Sequence, residues 1–155
     1  MIQKITIITG GQSGVDRAAM DFVLDNPQLK IKCGGFCPKG RKAEDGIIPQ
    51  KYPLIECETD NYAVRTELNV KNSDGVLIIF KVKINDPGTT LTVELAKKHN
   101  KPLYLCNIKQ NNINEIRKWI SENAINTLNI AGPRLSNDPE IYELTYDFLV
   151  QLFLV

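Results

Sequence analysis

Thr9-Gly10-Gly11-Gln12-Ser13-Gly14-Val15-Asp16-Arg17 joins an apolar run, Ile5 to Ile8, to the start of a helical pattern. Glycines let a ligand approach the main chain closely, and the N–H groups of a first helical turn attract an anion. Gly10, Gly11, Gln12, Ser13 and Gly14 therefore read as a phosphate-binding turn. The spacing matches neither G-x-G-x-x-G nor G-x-x-x-x-G-K-[ST], so a tight strand-to-helix turn without a ligand is the competing reading. Asp16 suits a cap on the opening helix. Arg17 suits a phosphate in a crevice or a neighbouring acid, Asp16 or Asp21.

Two further stretches carry the same kind of chemistry. Lys39, Gly40 and Arg41 lie in a glycine-proline loop, where paired cations suit closing over an anion and a solvated loop is the alternative. Glu44 and Asp45 follow, fit for a turn cap or for a metal held by phosphate. Cys37 stands near both cations, which favour its thiolate, but no histidine accompanies it as a base, so packing is the preferred role. Arg65 and Asn69, four apart in a helical pattern, share a face and can donate to a ligand. Gly88, Thr89 and Thr90 follow a strand and open another helix, where hydroxyls cap the helix and bond phosphate oxygens. His99, the single histidine, fits an exposed last-turn position favourable to the helix dipole.

The elements that must position these residues alternate along the chain. Strands are expected at Ile5–Thr9, Ile31–Cys33, Tyr52–Cys57, Val76–Phe80, Leu103–Cys106 and Thr127–Ala131. Helices are expected at Val15–Leu24, Tyr62–Asn72, Leu91–His99, Ile113–Asn123 and Asp138–Phe153. The run Val76-Leu77-Ile78-Ile79-Phe80 lacks polar alternation, as a strand covered on both faces should. Strand–helix alternation predicts an α/β fold, one Rossmann-like, doubly wound, mainly parallel sheet over residues 1–155. Ligands of such sheets bind beyond the carboxyl ends of the strands, where the strand order reverses, and the glycine turns all follow strands. They should line one crevice.

At 155 residues, 43% hydrophobic and 24% charged, the chain fits one globular domain. No segment has the roughly 20 consecutive apolar residues of a membrane span. The opening Met1-Ile2-Gln3-Lys4 has no signal-peptide pattern, so a cytoplasmic location is the expectation. Four cysteines in a domain of this size read as free thiols, and Cys33-x-x-x-Cys37 departs from metal-ligand spacing, so no metal site is assigned. A net charge of +1 gives no global field for nucleic acid. Residues 30–51 carry six basic and two acidic side chains, a local +4, but only Phe36 and Tyr52 are near for base stacking, so a nucleic-acid partner is not expected. The apolar end, Phe148-Leu149-Val150 and Leu152-Phe153-Leu154-Val155, suggests a homo-oligomer or completion of the core.

Several stretches together are similar to the molybdenum-cofactor carrier family: residues 10–19 and 35–46, Arg65-Thr66 with Asn69-Val70, Ser73-Asp74-Gly75, and Ala131-Gly132-Pro133-Arg134. That family sits in a Rossmann-like group with lysine-decarboxylase-like nucleotide hydrolases and DNA-processing proteins. The resemblance implies a single domain, oligomeric, binding the pterin cofactor as cargo or a nucleotide-like anionic ligand. An alternative is a hydrolase cleaving the N-glycosidic bond of a nucleoside monophosphate, or a nucleotide sensor. In the hydrolase reading, Arg17 or Arg65 anchors phosphate and Asp16 or Glu94 stabilises the oxocarbenium. The related hydrolases carry P-G-G-x-G-T-x-x-E, however, and the glutamate position falls here on Thr92 or Leu95, depending on register. Glu94 misses both, so the chain reads as a binding protein.

Overall fold

The computed structural model describes residues 4–110 and 112–154. The opening Met1-Ile2-Gln3 and the terminal Val155 lie outside the described residues.

The chain runs β1 (Thr6–Ile8), α1 (Val15–Asp25), a short 3₁₀ turn (Pro27–Leu29), β2 (Lys32–Gly34), β3 (Phe36–Cys37), β4 (Lys42–Ala43), β5 (Gly46–Ile47) and β6 (Ile55–Glu56). It continues α2 (Tyr62–Lys71), β7 (Gly75–Phe80), α3 (Pro87–Lys98), β8 (Leu103–Asn107), α4 (Ile113–Glu122), β9 (Thr127–Ala131) and α5 (Ile141–Leu154). Five strands form one parallel sheet in the order β2-β1-β9-β7-β8. The segment between β2 and α2 adds two small pairings, β3 with β6 and the antiparallel hairpin β4–β5.

β7 shows why the sheet needs helices on both faces. All six of its residues are buried, and successive side chains point to opposite faces of a strand. Leu77 and Ile79 join the larger core, with Phe22 of α1, Ile116 and Ile120 of α4, and Phe148 and Leu149 of α5. Val76, Ile78 and Phe80 pack with Val70 of α2 and Leu95 and Ala96 of α3. The apolar C-terminal residues Phe148, Leu149 and Leu152 thus complete the core.

The helix pair α1 and α5 is also joined by polar contacts. Asp21 and Asp25, one turn apart on α1, accept from the hydroxyls of Tyr142 and Tyr146, one turn apart on α5. Tyr52 donates to the second oxygen of Asp21 at 2.6 Å and ties down the segment after β5. A third cluster, Met20, Cys37, Ala43, Ile48 and Tyr52, fills the space beneath that segment.

Three expectations shift. Helix α3 starts at Pro87, earlier than Leu91, because Asp86 caps it by accepting from the Thr89 N–H and proline occupies its first turn. Helix α5 starts at Ile141 rather than Asp138, after the turn containing Pro139. Asp74, whose place in Ser73-Asp74-Gly75 suggests a local side-chain bond to its own turn, instead acts at a distance. Its carboxylate accepts from the N–H groups of Asn126 and Thr127, 3.0 and 2.8 Å away, and so sets the start of β9 beside β7.

Candidate functional site

The turn that opens α1 is self-contained. The N–H of Gly11 donates to Thr9 Oγ1, that of Gln12 to Asp16 Oδ2, that of Ser13 to Gln12 Oε1 and that of Val15 to the Pro133 carbonyl. Donors expected to meet a phosphate are thus spent inside the protein. Asp16 binds this turn, and α1 has no side-chain cap. Gly14 has φ 84°, and a Cβ there would lie 2.4 Å from the Pro133 carbonyl oxygen, so the glycine is required by the close approach of the 132–134 turn.

Several other expected ligand contacts are structural. Arg17 donates to the Gly11 carbonyl and forms a fork onto Asp45 at 3.1 and 3.0 Å, not onto Asp16 or Asp21. Arg41 is buried and donates to the carbonyls of Ile48, Pro49, Tyr52 and Leu54, where it organises the loop instead of facing a ligand. Lys39 and Gly40 are exposed, and the Gly40 N–H donates to Glu56. Asn69 clamps both the N–H and the carbonyl of Phe36, at 2.8 and 3.0 Å. Glu44 meets the hydroxyls of Ser13 and Ser136. Burial opposes its ionisation, but these hydrogen bonds prevail and hold its pKa below the usual value. Burial pushes the Cys37 thiol up and outweighs Arg41, in keeping with the packing role and not with a thiolate favoured by the nearby cations. His99 ends α3 half-buried, 2.8 Å from Glu67.

The open space lies elsewhere, at the carboxyl ends of β1, β9 and β7. Gln12 and Asp16 line it from the β1 side, Ala131, Gly132 and Arg134 from β9, Tyr62, Arg65 and Thr66 from α2, and Asp86, Gly88, Thr89 and Thr92 from the start of α3. The cleft spans about 500 Å³ including its open mouth, with about 70 Å³ in its solvent-sized interior. At roughly 10–15 Å³ per water by this measure, the interior suits one small anionic group. Among the proposed contacts, Thr90 is exposed and bonds back to the Asp86 carbonyl, and Glu94 is exposed and does not line the cleft. Thr92 does line it, with its hydroxyl on the Gly88 carbonyl.

Electrostatically the cleft is built around Arg65. Its side chain covers Gly10 so closely that a Cβ there would sit 2.1 Å from Nη1. Nη1 lies 3.7 Å from Asp16 Oδ2, and Tyr62 places its ring 5.3 Å from the guanidinium. Burial raises the Asp16 pKa to about 6, against the opposing pull of Arg65. Arg134 stands 5.3 Å from the centre of the same Tyr62 ring, and its guanidinium has no ion pair or hydrogen bond among the described residues. Four buried side-chain polar atoms among the described residues lack partners: Gln12 Nε2, Arg65 Nε, Asp86 Oδ1 and, on α5, Thr145 Oγ1. The first three belong to residues lining this cleft. Tyr62, Asp86 and Arg134 were not singled out as ligand residues. The signal available was the pair Asp86-Pro87, a helix start at a strand's carboxyl end.

A family model described as the circularly permutated YpsA SLOG family matches residues 7–153. The chain belongs to this family. The topology carries the permutation: were β9 and α5 placed ahead of β1, the sheet would read 3-2-1-4-5 from the renumbered strands, the usual Rossmann order. The permuted strand β9 is central, and the cleft opens where strand order reverses between it and β7. A crystal structure of a protein from Syntrophus aciditrophicus SB, named "Putative molybdenum carrier protein", is similar at 43% identity, covering 98% of this chain and 96% of that one, with TM-score 0.88. No curated protein matches the chain. No described helix is long and apolar enough to cross a membrane, and no described group of three or more His, Cys, Asp or Glu is placed to hold a metal ion.

Proposed function

We propose that this protein binds a small phosphate-bearing molecule in the Arg65–Arg134 cleft, with molybdenum cofactor as the first cargo candidate and a nucleotide as the second. The observation that carries the reading is Arg134, a cleft arginine held against the Tyr62 ring with no ion pair or hydrogen bond to its guanidinium among the described residues. The orphaned donors of Gln12 and Arg65 support it, since a buried polar atom without a partner costs about 1–3 kcal/mol and a ligand would relieve that cost. The name of the similar crystal structure agrees with a binding role.

The N-glycosidase alternative has less support. Glu94 is exposed and away from the cleft, and the lining residue at one of the two aligned positions is Thr92. Native mass spectrometry in an anaerobic mixture of molybdenum cofactor, molybdate, AMP and ADP-ribose tests the binding reading. The expected result is one organic phosphate retained by the wild type and lost from Arg134→Ala, a loss of about 100-fold in affinity for a charge-assisted contact. Equal retention by both proteins would remove the cleft from consideration.

A further inference from the structure

Asp86 occupies the place where the anion was expected. It caps α3, and one carboxylate oxygen, Oδ2, accepts from both the N–H and the hydroxyl of Thr89 at 2.9 and 2.7 Å. This carboxylate therefore already answers the positive end of the α3 dipole, which leaves an incoming anion the Arg134 side of the cleft. The residue is 6% exposed, and its other oxygen, Oδ1, is buried without a donor. A buried carboxylate oxygen in that state calls for a hydrogen-bond donor.

The charges of the cleft point the same way. Arg65 and Arg134 face Asp16 and Asp86, two cations against two acids. A site built for a bare tetrahedral dianion would be expected to carry an excess of positive charge and donors alone. This one offers unpartnered donors on Gln12 Nε2 and Arg65 Nε, an Arg134 guanidinium with no ion pair or hydrogen bond among the described residues, and an unpartnered acceptor on Asp86.

We infer that Asp86 is a selectivity residue of the cleft. Its Oδ1 accepts a hydrogen bond from a hydroxyl or amino group of the ligand while the ligand's phosphate meets Arg134. The class of ligand is then an organic phosphate ester with a donor close to its anionic group. Bare oxyanions such as molybdate, which carry only acceptors, are rejected. The inference rests on the cleft being the binding site, as proposed above.

Isothermal titration of the full chain at pH 7.5 with ribose 5-phosphate and with sodium molybdate tests it, using wild type, Asp86→Asn and Arg134→Ala. Asparagine caps helices as well as aspartate, so Asp86→Asn should fold, which a thermal melt checks. It would keep an acceptor for Thr89 and turn the Oδ1 position into a donor. Wild type should prefer ribose 5-phosphate. Asp86→Asn should lose at least 10-fold in affinity for it and gain at least 10-fold for molybdate. Tighter molybdate binding by wild type, an unchanged preference in Asp86→Asn, or binding of neither probe at millimolar concentration would overturn the inference. If Asp86→Asn leaves the preference intact while Arg134→Ala weakens the favoured probe, only the role of Asp86 falls. If Arg134→Ala changes nothing, the cleft itself is not the site.

Discussion

Two helix openings at the carboxyl edge of the sheet look alike in sequence and differ in how their polar groups are used. The opening of α1, with three glycines between Thr9 and Val15, spends its main-chain donors internally: the loop's own Thr9, Gln12 and Asp16, together with the Pro133 carbonyl, take N–H groups of the turn. Of its side chains, Gln12 keeps an unpaired Nε2 on the cleft. The opening of α3, with one glycine, leaves Asp86 Oδ1 unpaired and shares a cleft with two other orphaned atoms. Glycine content thus marks where backbones pass closely. The cluster of unsatisfied side-chain atoms marks the region whose polar groups the fold itself does not pair.

The sharpest way to break this contrast is Gly14→Ala. The new Cβ would combine an unfavourable positive φ with an overlap against the Pro133 carbonyl, which cannot swing away like a side chain. The expected cost is about 5 kcal/mol from backbone strain plus overpacking, read as a collapse of the thermal midpoint. A variant that melts like wild type would show that the α1 turn has slack, and so room for a ligand. Next comes Arg41→Met. A ligand-facing arginine would lose affinity and keep its stability. A guanidinium buried against four carbonyls should behave in the opposite way, losing about 4 kcal/mol in denaturant unfolding because the orphaned acceptors stay buried. Near-native stability with weakened binding would return Arg41 to the site.

Asp16 joins the two regions, since its carboxylate binds the α1 turn and faces Arg65 across the cleft. Its pKa is raised from 3.8 to about 6, so the folded chain holds this proton more tightly than the unfolded chain does. Stability from this group is therefore fully present below about pH 4 and is lost as pH rises through 6. The displacement corresponds to roughly 3 kcal/mol. Urea unfolding of wild type and Asp16→Asn at pH 4 and pH 8 should show the variant gaining about that much relative to wild type at the higher pH. A pH-independent difference would mean that Asp16 titrates normally and that the cleft is wetter than its burial implies.

The fold was legible because β7 is a run of unbroken apolar residues and because strands alternate with amphipathic helices, patterns that depend on local periodicity. The crevice at the strand ends was legible for the same reason. The residues that line it were only partly so. Gln12, Arg65, Gly88 and Thr89 reach the cleft, whereas Lys39, Arg41 and Asn69 do not line it. An arginine beside glycine has the same sequence signature whether it meets a phosphate or four main-chain carbonyls, and which it meets is decided by the path of residues 48–54. Arg134 escaped notice as a ligand residue because its neighbours in the cleft come from α2 and α3, far away in sequence.

The smallest expected effect checks the closed half of the comparison. Tyr142 and Tyr52 both donate to Asp21, and Tyr146 donates to Asp25, so these three hydroxyls are all paired, although Thr145 Oγ1 on the same helix as Tyr142 and Tyr146 is buried without a partner. Tyr142→Phe removes one hydroxyl, yet the Tyr52 hydroxyl still donates to the same carboxylate. Because Asp21 keeps a donor, the loss should be limited to about 1 kcal/mol, the net worth of one hydrogen bond. None of Asp21, Asp25, Tyr52, Tyr142 and Tyr146 lines the cleft, so the affinity for an organic phosphate should not change. A loss of binding in Tyr142→Phe would show that the α1–α5 contact sets the position of the Gly10–Asp16 turn, and that the two regions act as one.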